Sequence, residues 1–528
     1  MTPLILAALH VNTADVQDLW WDGEILWAAT TGGLEAWSES GERLGHLLEG
    51  LPESTLTRVG DLEGDLVVGT SSGGAARWRP DPEMGEWEAI SAGSGALDDR
   101  IVAVLSDQVV TAGGLLFPSE ERLPGTAADA VSFDGAVIVG TLEAELHVWK
   151  DGVLTTSLLP GPVRDMEVVG DEVRIACGMG AAVYNGELQW LDMPATAAGA
   201  VWGTRDGLLI EDGRVIGRVP SAVTALEPVG DSWAVGTADG LYLVDDESVR
   251  LTPEGQICGN FLTGATRWKG RIAVSTFDRG ACVLEDDGWH PIEGLPTEMV
   301  NDILGDGETL WLATSDGLVA WTEHSIEYIG AVDPGTSRRV PGVQHRAVNG
   351  LSRGERLWIT DVNGPVSVDG QSQWRRHRRA VWGHSYQDIA ACGSEAWVAS
   401  EDAGVSWTNG QRWEHHDAST GLPDDWIMAV TCDGKGRGWA GTYQDGVWVW
   451  DGRIWRELPG LSDGWVLSLD WSEEGLWVGT MSGLWLWTDG FQAMPGLPHP
   501  AVHDLSATDG EVLIATEGGL AILRRRSG

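Results

Sequence analysis

The sequence is short of several residue types that particular classes of protein need. Of its 528 residues only five are Cys, five are Tyr and five are Phe, and three of the 34 basic residues are Lys. The longest uninterrupted apolar run covers residues 4–9, far less than the ~20 residues that span a bilayer. No two Cys have the C-x-x-C spacing of a zinc or redox motif. We therefore expect no membrane insertion, no metal and no cofactor.

The few Cys also bear on the compartment. They stand at positions 177, 258, 282, 392 and 432, an odd number in a long chain, which favours buried reduced thiols over a disulfide framework. Residues 4–9 resemble the core of a short signal peptide, but no basic residue precedes them and no small-residue cleavage site follows. We predict a cytoplasmic protein, with a periplasmic location as the alternative if residues 1–14 act as a signal peptide.

Positive charge is scarce overall. The chain has 79 acidic residues and a formal charge of −45, whereas nucleic-acid binding requires a basic surface. We therefore expect no general nucleic-acid binding. The charge favours solubility and basic partners, although an acidic proteome in a salt-adapted or GC-rich source would produce the same balance.

Tryptophan and glycine are abundant instead, with 30 Trp and 72 Gly, and they recur in a repeat. Segments 26–37, 310–321 and 476–487 share L-W-x-x-T-x-x-G-L-x-x-W without a gap. Weaker copies bring the total to fourteen between Thr30 and Thr516, a mean spacing of about 37 residues. An apolar strand and a Gly turn precede each copy, and a more polar strand follows it. Four short strands per unit, with no helical period, predict an all-β protein built from propeller blades.

The blade explains the Trp excess. Blades pack face to face, so their inner strands need apolar residues at consecutive positions, as in LWLW at 484–487. A Trp ring fills the widening gap between blades and buries ~150–250 Å². We therefore interpret most Trp as structural and set apart the three that fall outside the repeat pattern, which are Trp374, Trp426 and Trp465.

The two ends of the chain indicate how a propeller ring closes. The last repeat has only three predicted strands, and a spare strand at 3–10 precedes the first unit, so pairing them would hide two sheet edges. Fourteen blades suit two seven-bladed rings better than one ring with a wide central hole. We predict a first propeller over 11–255 and a second over 256–528 plus strand 3–10. The repeat step falls to 27 residues between Cys177 and Thr204, so small blades are expected there.

The fullest unit, GLPTEMVNDILGDGETLWLATSDGLVAW at 294–321, resembles the WD40-like two-component regulator propeller repeat. GLP also stands at 50–52, 421–423 and 496–498. The resemblance implies paired propellers of the kind that form the periplasmic ligand-sensing part of membrane-bound histidine kinases. This sequence shows no transmembrane helix, kinase or DNA-binding segment, so the fold and a recognition role are what the resemblance contributes.

A basic stretch between 331 and 384 is the first candidate site. It holds nine Arg and four acidic residues, and Arg side chains bind carboxylates and phosphates in a bidentate manner. We interpret it either as a docking site for an acidic peptide, phosphate or sugar acid, or as a contact with the acidic surface of the other ring. The candidate residues are Trp374, Arg338, Arg339, Arg375, Arg376, Arg378 and Arg379.

The central channel is the second candidate. Side chains alternate along a strand, so residues beside Val300 and its equivalents point toward the axis, among them Gln17, Asn301, Asn349, Gln387 and His503. Trp426 and Trp465 occupy the other flanking position in consecutive blades. Amides beside an aromatic ring suit a small polar or sugar ligand; a water-filled funnel is the alternative.

Catalytic and metal signals are weak. His377, His384, His415 and His416 match no ligand spacing, and SEDAGVSW at 400–407 resembles a sialidase Asp-box only once. Nucleophile-elbow, HExxH and Walker motifs are missing. We therefore predict a non-enzymatic scaffold that binds a protein or peptide partner. A ligand sensor that acts with a separate signalling subunit and a glycan lyase or hydrolase are the alternatives.

Overall fold

A computed structural model describes residues 4–48, 50–79, 86–90, 100–119, 121–177, 180–245, 248–330, 332–333, 338–339, 347–370, 373–378, 380–508 and 510–525. It is an all-β protein made of tandem β-propellers. The chain divides into two compact units. We call Asn12–Glu254 the first propeller, and Gly255–Gly528 together with Met1–Val11 the second propeller.

The first propeller contains seven antiparallel blades, and the inner strands of blades 1 and 7 lie side by side to close the ring. Blade 6 has three strands, and an isolated bridge between Ala197 and Gly203 stands in place of its inner strand. The strands of blades 1 to 7 are Val16–Trp21, Ile25–Thr30, Gly33–Ser38, Arg43–Leu47; Leu56–Leu62, Asp65–Thr70, Ala75–Arg79, Glu86–Ile90; Ile101–Val104, Val109–Thr111, Leu115–Phe117, Glu121–Arg122; Ala127–Phe133, Ala136–Thr141, Glu145–Lys150, Val153–Leu158; Asp165–Val169, Glu172–Ala176, Ala181–Tyr184, Leu188–Leu191; Trp202–Gly203, Leu208–Glu211, Arg214–Arg218; and Val223–Val229, Ser232–Thr237, Gly240–Val244, Ser248–Arg250.

The second propeller contains blades 8 to 14, each with four strands in its described part. A short hairpin, Val332–Asp333 with Arg338–Arg339, lies between blades 9 and 10 in sequence, and a 3₁₀ helix, Ala418–Thr420, follows blade 11. The strands of blades 8 to 14 are Leu262–Trp268, Arg271–Thr276, Ala281–Glu285, Gly288–Pro291; Val300–Asp306, Thr309–Thr314, Gly317–Thr322, Ser325–Ile329; Val348–Arg353, Leu357–Asp361, Val366–Val368, Trp374–Arg376; Tyr386–Cys392, Glu395–Ser400, Gly404–Thr408, Trp413–His416; Ile427–Cys432, Gly438–Thr442, Val447–Trp450, Trp455–Glu457; Val466–Ser472, Gly475–Thr480, Gly483–Trp487, Phe491–Met494; and Val502–Thr508, Glu511–Thr516, Gly519–Arg525, Leu4–His10.

The predicted closure by the N-terminal strand is confirmed. Leu4–His10 pairs antiparallel with Gly519–Arg525 and completes blade 14. The adjoining turn requires glycine, because Gly519 has φ +127° and a Cβ there would lie 2.4 Å from the His10 carbonyl oxygen. Leu9 packs against a core of buried side chains from blades 13 and 14 that includes Trp477.

The repeat motif is explained by one hydrogen-bonded turn. In blade 9 the buried Thr314 hydroxyl donates to the Gly317 carbonyl at 2.7 Å and accepts the Asp316 N–H at 3.2 Å. Thr30, Thr237, Thr480 and Thr516 make the same bond to the corresponding Gly. The motif Thr therefore ties the second strand to the third inside the blade.

Most Trp side chains lie between blades, as the repeat predicts. Trp397 is fully buried in a cluster with Val430 and Trp455 of the following blade, and Trp268 and Trp477 are equally buried. Five Trp are exposed, and they are Trp190, Trp374, Trp382, Trp426 and Trp465. The three Trp that fall outside the repeat pattern are all among these five.

Four Cys form two disulfides, so the prediction of reduced thiols was wrong. Cys258 pairs with Cys282 and Cys392 with Cys432, while Cys177 is a buried free thiol. The two Cys of the first pair lie 24 residues apart in the sequence and those of the second lie 40 apart, and the fold brings them together. Disulfides form in oxidising compartments. The cytoplasmic prediction was therefore also wrong, and a periplasmic or extracellular location is favoured. No helix in the described part of the chain is long and apolar enough to cross a membrane.

Candidate functional site

A cavity of about 470 Å³ lies in the centre of the second propeller. The inner strands of all seven blades line it, and Asn301, Asn349, Gln387 and His503 are on its wall. Consecutive residues of an inner strand line it, as Asn301 to Leu304 do in blade 9.

The channel amides connect neighbouring blades. Asn301 donates its side-chain N–H to the Val348 carbonyl at 2.7 Å, and Asn349 donates to the Tyr386 carbonyl at 2.8 Å. Gln387 instead donates to the Glu401 carboxylate at 2.6 Å within its own blade. The three predicted amides therefore have structural partners, and a ligand in the cavity would meet their remaining polar atoms.

Partly buried carboxylates form a second row of connections between blades. Asp302, Asp388, Asp470 and Asp504 each accept a backbone N–H from the following blade at 2.6–3.0 Å. Burial raises the pKa of Asp388 to about 6 and the pKa values of Asp470 and Asp504 to about 7. Burial and the nearby Asp504 raise the pKa of Asp302 as well. All four line the cavity, and no described Lys or Arg does.

The first propeller arranges its channel differently. Its bridging carboxylates are Asp18, Asp129, Asp165 and Glu227. The first three lie close to the partly buried Arg58. Arg58 donates to the Thr57 carbonyl in blade 2 and to the Ala128 carbonyl in blade 4, at 2.9 and 3.5 Å. Its guanidinium therefore reaches from blade 2 to blade 4 within the first propeller.

An aromatic shelf adjoins the start of the inner strands of blades 12 and 13. It consists of Trp426, Tyr443 and Trp465, which come from blades 12 and 13. Trp426 stacks on Tyr443 with ring centroids 4.3 Å apart, and Tyr443 contacts Trp465 at 4.7 Å. Trp426 directly precedes the inner strand Ile427–Cys432, and Trp465 directly precedes the inner strand Val466–Ser472, so the shelf lies where these two cavity-lining strands begin. Trp426 and Trp465 remain 38% and 37% exposed, even though each ring contacts the Tyr443 ring.

The same end of the cavity holds residues that the sequence reasoning missed. Phe261 stacks on Phe277 at 5.1 Å and contacts the His503 ring at 5.0 Å. His503 also pairs with Glu517 at 2.9 Å. Phe277, Tyr443 and Glu517 all directly follow the motif Thr of their blades, so the repeat register could have identified them. We call this end, with the aromatic shelf, the mouth of the second propeller.

The basic stretch is only partly described. Arg379 lies outside the described residues, and Arg338 and Arg339 form a short strand paired with Val332–Asp333. Arg376 is occupied inside blade 10, where its guanidinium binds the fully buried Asp361 in a bidentate manner at 2.7 and 2.6 Å. Arg375, Arg378 and Trp374 are exposed on the outer side of the same blade. The structure thus separates these residues from the mouth residues.

The weak catalytic signals have local explanations. Asp402 of the Asp-box-like segment accepts hydrogen bonds from the Ser400 hydroxyl and the His384 backbone N–H. Burial alone would raise the pKa of Asp402, but these bonds lower it to about 2. Such bonding is typical of a structural turn. Within the part of the chain that the structure describes, no group of three His, Cys, Asp or Glu could hold a metal ion.

Comparisons with known proteins show the fold alone. No protein-family model and no curated protein matches the sequence. The structure is similar to that of PorZ, a surface component of the type-IX secretion system of Porphyromonas gingivalis, with a TM-score of 0.64 at 16% identity over 99% of this chain and 87% of PorZ. The extracellular domains of the B. thetaiotaomicron two-component systems BT4673 and BT3049 align with TM-scores of 0.42 and 0.43, at 16% and 14% identity, over 96% and 98% of this chain and 69% and 83% of theirs.

Proposed function

We propose that the protein is a ligand-sensing propeller that binds a neutral, hydroxyl-rich small molecule, such as an oligosaccharide, at the mouth of the second propeller. The exposed aromatic shelf beside an open cavity carries this proposal. A flat ring that remains exposed while its neighbours fix its orientation is suited to stack on the C–H face of a sugar. The protein binds this ligand without transforming it and reports the bound state to a separate signalling subunit.

The charges of the cavity disfavour an anionic ligand. Asp302, Asp388, Asp470 and Asp504 line it without a described Lys or Arg, so a sugar acid or phosphate would meet repulsion in a low-dielectric site. Hydroxyl groups can instead donate to the carboxylate and amide oxygens near the mouth. The Glu401 carboxylate, which Gln387 and Ser385 already orient at 2.6 Å, is an acceptor of this kind.

Binding of a ligand panel to shelf variants tests the proposal. Isothermal titration calorimetry would compare neutral, acidic and amine-bearing oligosaccharides against the wild type, Trp426→Ala and Trp465→Ala. We expect neutral ligands to bind and each variant to bind them about tenfold more weakly, because loss of ~1.4 kcal/mol of stacking corresponds to tenfold in Kd. Trp190→Ala is the matched control, since Trp190 is an exposed Trp in blade 5, and it should bind like the wild type.

Three results would contradict the proposal. Equal affinity of both shelf variants and the wild type would remove the shelf from the site. Binding of acidic or amine-bearing ligands in preference to neutral ones would refute the ligand class. Consumption of the ligand during incubation, measured by mass spectrometry, would show catalysis.

A further inference from the structure

The outer strand of blade 10, Trp374–Arg376, has a free edge in the described structure. On its inner side the His377 N–H donates to the Pro365 carbonyl at 2.9 Å, and the Gln373 carbonyl accepts the Asp369 N–H at 3.3 Å. Inward-bonding residues alternate with outward-bonding ones in an antiparallel pair. The backbone N–H and C=O groups of Trp374 and Arg376 therefore point away from the blade, where an additional strand could pair with them.

Cationic side chains without a carboxylate partner stand beside this edge. Among the described residues, neither Arg375 nor Arg378 forms an ion pair, and both are exposed. Most other described Arg residues are neutralised, as in the Arg376–Asp361, Arg437–Asp433 and Arg267–Glu511 pairs. In a chain with 79 acidic and 34 basic residues, neighbouring Arg residues without such a partner mark a surface that suits an acidic molecule.

The strand is held rigidly from behind. The buried His377 shares a hydrogen bond with the Ser367 hydroxyl at 2.9 Å, and its ring contacts Trp358 and Trp413 at 5.1 and 5.4 Å. Burial, together with the charges of Arg375 and Arg356, lowers the pKa of His377 to about 4. The neutral ring therefore anchors the strand without adding a charge, and a rigid edge loses little entropy when a partner pairs with it.

The two faces of the strand differ. Side chains alternate, so Trp374 lies on the face opposite to Arg375, and Trp374 is 41% exposed. A segment that alternates acidic and apolar residues matches this arrangement, with carboxylates on one face and aliphatic groups on the other. A second copy of this chain matches it less well, since its charge of −45 would oppose self-association.

We infer that blade 10 docks an acidic segment of a partner protein, which adds as a further strand to Trp374–Arg376. Its carboxylates bind Arg375 and Arg378, its apolar side chains contact Trp374, and its backbone pairs with the free edge. This surface shares no residue with the proposed ligand site in the mouth of the second propeller. Either proposal can therefore fail while the other holds.

Fluorescence anisotropy with a designed peptide tests this inference. The probe is a short fluorescein-labelled peptide that alternates Glu with Val, and its counterparts carry Gln for every Glu or Pro for the central Val. We expect Arg375→Glu with Arg378→Glu to raise Kd for the Glu–Val peptide about tenfold or more. The Gln peptide should bind the wild type at least tenfold more weakly. The Pro peptide should do the same, since Pro lacks the N–H that strand pairing needs.

The chain offers a matched control for the charge reversal. Arg164 and Arg205 lie in loops rather than in an outer strand, are exposed, and form no ion pair among the described residues. Arg164→Glu with Arg205→Glu should change Kd less than twofold. Unchanged melting temperatures of both double variants would show that they fold, and Trp374→Ala, which keeps the charge, should weaken binding several-fold.

Each of the following outcomes would overturn the inference. Failure of the wild type to bind the Glu–Val peptide, or equal weakening by the control variant, would show that blade 10 is no specific docking site. Equal affinity for the Pro peptide would refute strand addition. Self-association of the wild type that disappears in the Arg375→Glu, Arg378→Glu variant, measured by analytical ultracentrifugation, would make a second copy the partner.

Discussion

Short polar side chains on the inner strands hold neighbouring blades together. Asp504 accepts the Ala265 N–H at 3.0 Å, and Thr263 donates to the Val300 carbonyl at 2.5 Å. The first propeller repeats the arrangement, with Thr224 donating to the Val16 carbonyl at 2.6 Å and Glu227 accepting the Trp21 N–H. A buried backbone group without such a partner would cost about 1–3 kcal/mol. These residues therefore close each ring in addition to lining its channel.

The disulfides lead to a prediction for individual residues. Unfolding in the absence of reductant should expose one thiol per chain to alkylation, that of Cys177, with Cys258–Cys282 and Cys392–Cys432 linked in the peptide map. Cys392→Ser with Cys432→Ser should lower the free energy of unfolding of the second propeller by about 2–4 kcal/mol, because the cross-link restricts the unfolded chain. Alkylation of all five thiols would contradict the pairing.

The fourth strand of blade 14 joins two distant parts of the sequence. Leu4–His10 pairs along its length with Gly519–Arg525, and it hides the edge that blade 14 would otherwise present. Its side chains make unequal contributions: Leu4 and Leu9 pack on the core of blades 13 and 14, while Leu6 is largely exposed. The strand therefore acts as a closing element through its backbone and both faces, since Ala8 packs on the core of blades 14 and 8 and Trp289 contacts the His10 ring.

Removal of this strand should destabilise the second propeller selectively. A chain lacking residues 1–11 should lose about 2–4 kcal/mol of unfolding free energy there, since two half-buried Leu contribute ~1–2 kcal/mol each. A synthetic peptide of residues 1–11, added in trans, should restore part of this loss. Chemical denaturation would measure the loss of unfolding free energy. Leu9→Ala and Leu6→Ala form a matched pair, and only Leu9→Ala should destabilise the second propeller. An unchanged midpoint after truncation would refute the closing role.

Acidic groups with raised pKa values occur in both rings. Burial raises the pKa of Glu227 to about 8 in the first propeller. Asp470 and Asp504 reach about 7 in the second. An unfolded chain releases these protons near pH 4, so near neutral pH the folded protein binds more protons than the unfolded one. Stability is therefore linked to pH.

The sign of this linkage gives a prediction for the whole protein. Groups whose pKa is higher in the folded state stabilise it at low pH, and this contribution is lost as the pH rises through the folded pKa. We expect the melting temperature to rise as the pH falls from about 8.5 to about 6.5, by ~2–4 °C for each kcal/mol gained. Below that range His377, whose pKa burial lowers to about 4, opposes the trend, because the unfolded chain then binds a proton that the folded chain does not.

Glu227→Gln tests whether carboxyl groups with raised pKa values cause this pH dependence of the melting temperature. It keeps an acceptor for the Trp21 N–H but does not titrate, so the pH dependence of the first propeller should become flatter. Asp134→Asn is the control, because Asp134 is an exposed carboxylate whose pKa its hydrogen bond with Lys150 lowers, outside the tested range. A melting temperature that is constant or falls between pH 8.5 and 6.5 would contradict the prediction.

Blade architecture was predictable because it depends on local patterns. The Thr–Gly turn, the consecutive apolar positions and the spacing of about 37 residues act within one unit, so each can be read from neighbouring residues. The structure has Asn301, Asn349 and Gln387 on the channel wall, although β-bulges interrupt the alternation of side chains at these positions. Even the closing strand could be inferred, since a three-stranded last repeat requires a fourth strand.

Contacts between distant residues could not be predicted in this way. The Cys392–Cys432 disulfide, the Arg376–Asp361 pair and the Trp426–Tyr443 stack each join side chains from different strands or blades. Their existence depends on register and on the distance between neighbouring blades. The local repeat thus specified the blades and their number. Folding determined which cysteines meet, which arginines are neutralised and which Trp rings remain exposed, because those outcomes depend on distances between residues far apart in the chain.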